Sequence, residues 1–110
     1  MADHIDWPGQ SGRTYRYWFL NMSGGIKAEP GNYMFVKELA NYQFVPVYIG
    51  QASDLSARLP NHERWADAKR AGATHVMAHT NSNEKARTDE EQDLIARWQP
   101  VLNTHHKEAR

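Results

Sequence analysis

Apolar residues along the chain gather in short β-rich runs punctuated by glycine, proline and asparagine, and a helical period takes over after Gly50. Tyr15-Arg16-Tyr17-Trp18-Phe19-Leu20 carries bulk at successive positions, which predicts a strand with at least one covered face. Tyr33 to Glu38 predicts the next strand, and the short connection Leu39 to Phe44 predicts a hairpin with Val45 to Ile49. Pro46 donates no ladder hydrogen bond, so that strand is expected at an edge or beside an irregularity. Ser53 is a candidate N-cap for a helical turn through Leu59, with a second helix restarting at Pro60 and ending at Gly72. Thr74 to His79 reads as a further strand. The last helix is expected to begin between Asn83 and Asp89 and to stop before Pro100. Met1 to Gly12 is polar and broken by Trp7-Pro8-Gly9 and Ser11-Gly12, which predicts an irregular segment.

These elements predict one α+β domain over residues 14–103, with an irregular segment at 1–13 and a polar tail at 104–110. Its sheet is expected to be small and mostly antiparallel, three core strands plus an extra N-terminal strand, with helices packed on it.

Charge changes the picture more than length does. Thirteen basic and thirteen acidic residues cancel over 110 positions, so no global positive field announces nucleic-acid binding. Any DNA surface must be local; the candidates are Arg58, Arg64, Lys69 and Arg70, with Arg87 or Arg97. The absence of cysteine excludes disulfides, thiolate metal sites and a thiol nucleophile. No apolar run is long enough to span a bilayer, and Met1-Ala2-Asp3-His4 lacks the basic start of a leader, so a soluble, unexported, cytoplasmic chain is expected, with no membrane partner.

One carboxylate stands out by position. Glu91, Leu94, Ile95 and Trp98 fall on one helical stripe, which sets Glu91 among residues expected to face the core. A carboxylate there needs a metal ion, an arginine or backbone donors. Thr88-x-x-Glu91 also fits a capping box, which leaves a purely structural role open. Glu90, one position away, is expected on another face as a solvated charge.

Gly31-Asn32-Tyr33, then Tyr48-Ile49-Gly50, then Arg58 eight residues beyond that glycine, then Glu91-x-x-Leu94-Ile95 and Pro100-x-x-Asn103 form an ordered set. In residue type and spacing this set, covering Gly31 to Asn103, resembles the GIY-YIG nuclease superfamily. Asn32 departs from the isoleucine that gives the family its name. The resemblance implies that fold and a DNA endonuclease that hydrolyses phosphodiesters by in-line attack of an activated water. It implies one Mg²⁺ or Mn²⁺ on Glu91, Tyr33 beside the attacking water, Tyr48 lining the same pocket, Arg58 on a phosphate oxygen, and His62 at a position that is often histidine. His62 would accept or relay the Tyr33 proton, a phenol alone being a poor base at neutral pH. Gly31, Gly50 and Asn103 would shape the site, with Asn103 closing the end of the last helix through backbone hydrogen bonds.

The residues by themselves leave other readings open. Arg58 fits a side chain snorkelling to solvent or pairing a surface acid, Tyr33 and Tyr48 fit packed strand aromatics, and His62 fits a helix-surface histidine. His75 and His79 would lie about 13 Å apart along a strand, too far to share an ion. His105-His106 belong to the tail. The active-site reading requires Tyr33 and Tyr48 on adjacent antiparallel strands, facing one cleft with Arg58 and Glu91 on the same side of the sheet. The alternative is a non-catalytic nucleic-acid-binding or protein-interaction module, and a third reading is a structural domain of a larger assembly. With no attached DNA-reading domain, the substrate is expected to be duplex or branched DNA chosen by shape, by weak specificity, or by a partner protein.

Overall fold

The computed structural model describes residues 3–103. The tail at 104–110, with His105-His106, lies outside the described residues. The elements are β1 (His4–Pro8), β2 (Thr14–Phe19), β3 (Gly31–Glu38), β4 (Phe44–Ala52), α1 (Leu55–Arg58), α2 (Trp65–Arg70), β5 (His75–Thr80) and α3 (Glu84–Trp98). They form an α+β architecture around one five-stranded sheet in the order β1-β2-β5-β3-β4, every neighbouring pair antiparallel.

The extra strand corrects two expectations, an irregular N-terminal segment and a four-stranded sheet. All five residues of β1 pair with β2, from His4↔Trp18 to Pro8↔Thr14. Pro8 is tolerated because it ends the strand, while Trp7 is buried and stacks edge-on against Trp98 of α3, 5.2 Å between ring centres. The turn behind it is tied to α3 as well, since Asp93 accepts hydrogen bonds from the Ser11 amide and hydroxyl and from the Tyr15 hydroxyl.

β3 lies inside the sheet between β5 and β4, and Gly31 to Val36 are all buried because both faces of the sheet are covered. Tyr33, Phe35, Val47, Val76 and Ala78 pack under Leu55, Leu59 and Ala68 of the α1–α2 region. On the opposite face Met34, Val36, Ile49 and Met77, with Trp7 and Tyr17, pack under Leu94 of α3. The β3–β4 hairpin forms as expected. Pro46 sits both on the outer strand and beside a bulge, where the register jumps from Phe35↔Tyr48 to Val36↔Pro46.

The α1–α2 region refines the helix expectations. Asp54, not Ser53, caps α1, its carboxylate accepting from the Ser56 and Ala57 amides at 3.0 and 3.4 Å. Pro60 does not restart a helix: residues 60–64 turn so that both Leu59 and His62 are buried, and α2 begins only at Trp65. Its end at Gly72 agrees with expectation, the Gly72 amide bonding to Lys69 O and the Ala73 amide to Ala68 O in a Schellman closure. α3 starts behind the Asn83 cap, whose side chain accepts from the Ala86 amide at 2.8 Å, and stops before Pro100. Thr88 is therefore inside the helix, and the capping-box role for Glu91 falls away. Among the described residues no helix is long and apolar enough to cross a membrane.

Candidate active site

The hairpin sets two tyrosines side by side. Tyr33 is registered with Gly50 and Phe35 with Tyr48, which puts the Tyr33 and Tyr48 rings on one face with centres 6.3 Å apart. Gly50 is required here: a Cβ on it would lie 2.6 Å from the Tyr33 oxygen, so the glycine lets the phenol lie across the outer strand. Gly31 has a similar constraint, a Cβ there colliding with the backbone oxygen of His79 and with Leu55.

His62 completes this face. Its ring stands edge-on to both tyrosines, and its Nε2 is 2.6 Å from the Tyr33 oxygen. The Arg64 amide donates to His62 Nδ1 at 3.0 Å, so Nδ1 is an acceptor and the neutral ring carries its proton on Nε2. His62 therefore donates to Tyr33. Burial, and then the positive charge of Arg58, push His62 down to about 4, which keeps it neutral near pH 7. The expectation is that His62 accepts or relays the Tyr33 proton; in the resting hydrogen bond the proton lies on His62 and points at Tyr33. The phenols of Tyr33 and Tyr48 are both raised above the usual value by burial; the nearby charge of Arg58 lowers them and that of Glu91 raises them. Among the described residues no acceptor takes the hydrogen of the Tyr33 hydroxyl itself.

A stability prediction follows from His62. Between its ordinary value near 6.5 and about 4, the unfolded chain binds a proton that the folded chain does not, so stability rises with pH in that window and is lost on acidification. The melting temperature of the wild-type chain is expected to fall from pH 7 to pH 5 by more than that of His62→Gln. Equal falls would show that His62 is not held neutral by the fold.

Arg58 comes from the end of α1 and is closed on an acid. Its two terminal nitrogens donate to the two oxygens of Glu63 at 2.6 and 2.9 Å, a planar fork that lowers Glu63 to about 2. The pair is open to solvent, with side-chain exposures of 38% and 65%.

Glu91 comes from the other layer. α1 and α3 cover opposite faces of the sheet, so the active-site reading fails in its expected form, one cleft with Arg58 and Glu91 on the same side, and only a site across the edge of β4, which packs into both layers, is left to it. The outer strand relates them instead. Consecutive β4 residues point to opposite faces: the Tyr33 phenol lies over Gly50, while Gln51 turns to the α3 layer and donates to Glu91 Oε1 at 3.3 Å. The charges of Arg58 and Glu91 both act on both phenols, in opposite directions.

Glu91 suits a hard cation. It is half-buried, burial raises its carboxyl above the usual value, and its contact is an amide rather than a cationic side chain. No group of three potential metal-ligating side chains occurs among the described residues. An ion here would have Glu91 as its protein ligand and water for the rest of its shell, the habit of Mg²⁺ and Mn²⁺.

Other expected residues fall elsewhere. Asn103 does not close α3: its carboxamide donates to Ile49 O at 2.9 Å and accepts from the Ile49 amide at 2.7 Å, filling hydrogen-bond positions on the free edge of β4. Arg87 is 6% exposed and cannot belong to a DNA-facing strip, while Arg97 stacks on Trp98 in the α3 layer. Arg70 and Arg64 both approach Asp67, and Lys69 lies over the Trp65 ring, so the α2 strip holds Arg64, Lys69 and Arg70. His75 and His79 lie four residues apart on β5, and His79 Nε2 donates to Glu90 at 2.6 Å. Glu90 is not a solvated charge. It is 5% exposed and also accepts from Tyr17 at 2.7 Å, because the most buried stripe of α3 is Arg87, Glu90 and Leu94. The signal that marks it is indirect: alternation along β5 sends His79 to the same face as Met77.

No family model, curated protein or solved structure matches this chain.

Proposed function

We propose that this chain is a divalent-cation-dependent endonuclease domain that hydrolyses phosphodiester bonds in DNA, in the manner of the GIY-YIG nucleases it resembles. The observation that carries the reading lies on two successive residues of β4: the Tyr33 phenol, bonded to His62, lies over Gly50 on one face, and Gln51 reaches Glu91 on the other. Glu91 would hold a Mg²⁺ or Mn²⁺, which when bound would supply Lewis-acid stabilisation of the scissile phosphate and the leaving oxygen. Tyr33 holds and orients the attacking water with its oxygen fixed by the His62 N–H; the phenol takes a proton from that water only after giving its own to solvent, a loss that burial opposes and that the His62 donor and the Arg58 charge favour. Tyr48 walls the same pocket. Arg58 steadies a non-bridging phosphate oxygen with its planar fork. Activity is read as conversion of supercoiled plasmid to open circles in Mg²⁺ or Mn²⁺, lost in Glu91→Ala.

The fork of Arg58 is occupied by Glu63, so a DNA phosphate must displace that carboxylate. Glu63→Gln is expected to raise affinity for duplex DNA about two- to fivefold, as suits a solvent-exposed competitor. Anisotropy titrations across salt concentration check this, each neutralised phosphate adding about 0.9 to the salt slope. Unchanged affinity in Glu63→Gln would remove Arg58 from the phosphate-binding role.

The closed Arg58–Glu63 pair and the balanced charge favour a second reading, a nucleic-acid-binding or protein-interaction module without turnover. Salt-dependent DNA binding with no cleavage in any divalent cation would select it.

A further inference from the structure

Between the sheet and α3 lies a short polar chain whose donors and acceptors admit one orientation. Arg87 is 6% exposed and held at two points: its Nη1 donates to Asn81 O at 3.0 Å, and its backbone oxygen accepts from the Asn32 carboxamide at 3.0 Å. Its Nε donates to Gln51 Oε1 at 3.0 Å. A guanidinium only donates, so the carbonyl end of the Gln51 carboxamide must face Arg87 and the NH₂ end must face away. That end donates to Thr88 Oγ1 at 2.8 Å and to Glu91 Oε1 at 3.3 Å. We propose that Gln51, oriented by Arg87, is a positioning residue that ties one oxygen of Glu91 and leaves the other free for a cation.

This proposal rests on the reading of Glu91 as the metal carboxylate. It also accounts for Asn32 at a position where the resemblance asks for isoleucine. Asn32 and Gln51 are cross-strand partners, and on that face a polar residue anchors Arg87 where an apolar one has nothing to offer its backbone oxygen. The carboxamide oxygen of Asn32, Oδ1, is buried with no partner among the described residues, a cost accepted at the same polar patch. Partners that orient a metal ligand commonly change metal affinity ten- to a hundredfold when removed.

The test uses the full chain and Mn²⁺ alone, with affinity read by calorimetry and native fold by circular dichroism. Gln51→Leu is expected to weaken Mn²⁺ binding roughly tenfold. Arg87→Leu should weaken it similarly, and the double variant should lose no more than the larger single loss, because the two residues act in series. Where Gln51→Leu loses the native spectrum, Gln51→Asn replaces it, keeping the carboxamide one methylene short of Glu91. Native Gln51→Leu or Gln51→Asn that binds Mn²⁺ like wild type overturns the proposal. A second measurement separates it from the metal reading: the side-chain ¹⁵N–¹H signals of Gln51 in metal-free protein should move in both Glu91→Gln and Arg87→Leu. If wild type shows no Glu91-dependent Mn²⁺ binding, the metal reading fails. Gln51 signals that move in both variants would then still support the positioning chain, and signals that stay fixed in either would overturn it.

Discussion

Replacing Glu91 with glutamine is expected to abolish cleavage, by about a hundredfold or more, while leaving the melting temperature of the metal-free protein nearly unchanged. The side chain keeps its size, and the amide removes a charge whose burial is already unfavourable, as the raised carboxyl shows. Glu91 caps nothing, since α3 begins at Asn83, so no capping stability is lost. Saturating Mn²⁺ should raise the melting temperature of wild type but not of Glu91→Gln, because an ion that binds only the folded state stabilises by mass action. Calorimetric scans of both proteins with and without Mn²⁺ check this. A large drop in the metal-free scan would point instead to a structural glutamate.

Tyr33→Phe is expected to lose both turnover and stability, and the two losses have different causes. Removing the hydroxyl takes away the group that orients the attacking water, a loss of about 10² to 10⁴ in rate. It also leaves the His62 Nε2–H buried without its 2.6 Å partner, which costs about 1–3 kcal/mol. His62→Gln breaks the same hydrogen bond from the other side. The stability losses of the two variants should therefore not add, whereas the rate loss of Tyr33→Phe should persist in either background. Denaturant unfolding of the single and double variants, beside cleavage rates, measures this; additive stability losses would mean the two side chains act separately.

Local signals made much of the fold legible. The β3–β4 hairpin, the bulge beside Pro46, the Gly72 helix end and the bounds of α3 all rest on proline, glycine, asparagine or an unbroken apolar period. β1 was hidden because Trp7-Pro8-Gly9 reads as punctuation when only the chain is considered, and its pairing with β2 and burial against α3 are tertiary. Glu90 was hidden for a related reason. Its helix face carries two polar residues, so the period points to the neighbouring stripe, and only Tyr17 and His79 from distant strands make a buried carboxylate tenable there.

The candidate site was legible as a set of residue types and spacings, but not as a geometry. Nothing in one dimension says that α1 and α3 would settle on opposite faces, or that a glycine in the outer strand would let a phenol lie across it. The tautomer of His62 depends on the Arg64 amide, which a loop bent by Pro60 brings to the ring. The closure of Arg58 on Glu63 depends on the same loop. Asn103 was marked by its distance from Pro100, yet its partner is the backbone of β4, 54 residues away in the chain.

Nicking of supercoiled plasmid DNA tests the central claim most directly, with wild type and Glu91→Ala compared at equal concentration in Mn²⁺, in Mg²⁺ and with chelator. Open-circular product is expected from wild type in divalent cation alone, and none from Glu91→Ala under any condition. Equal rates of nicking by the two proteins would contradict it, because Glu91 would then hold no catalytic ion.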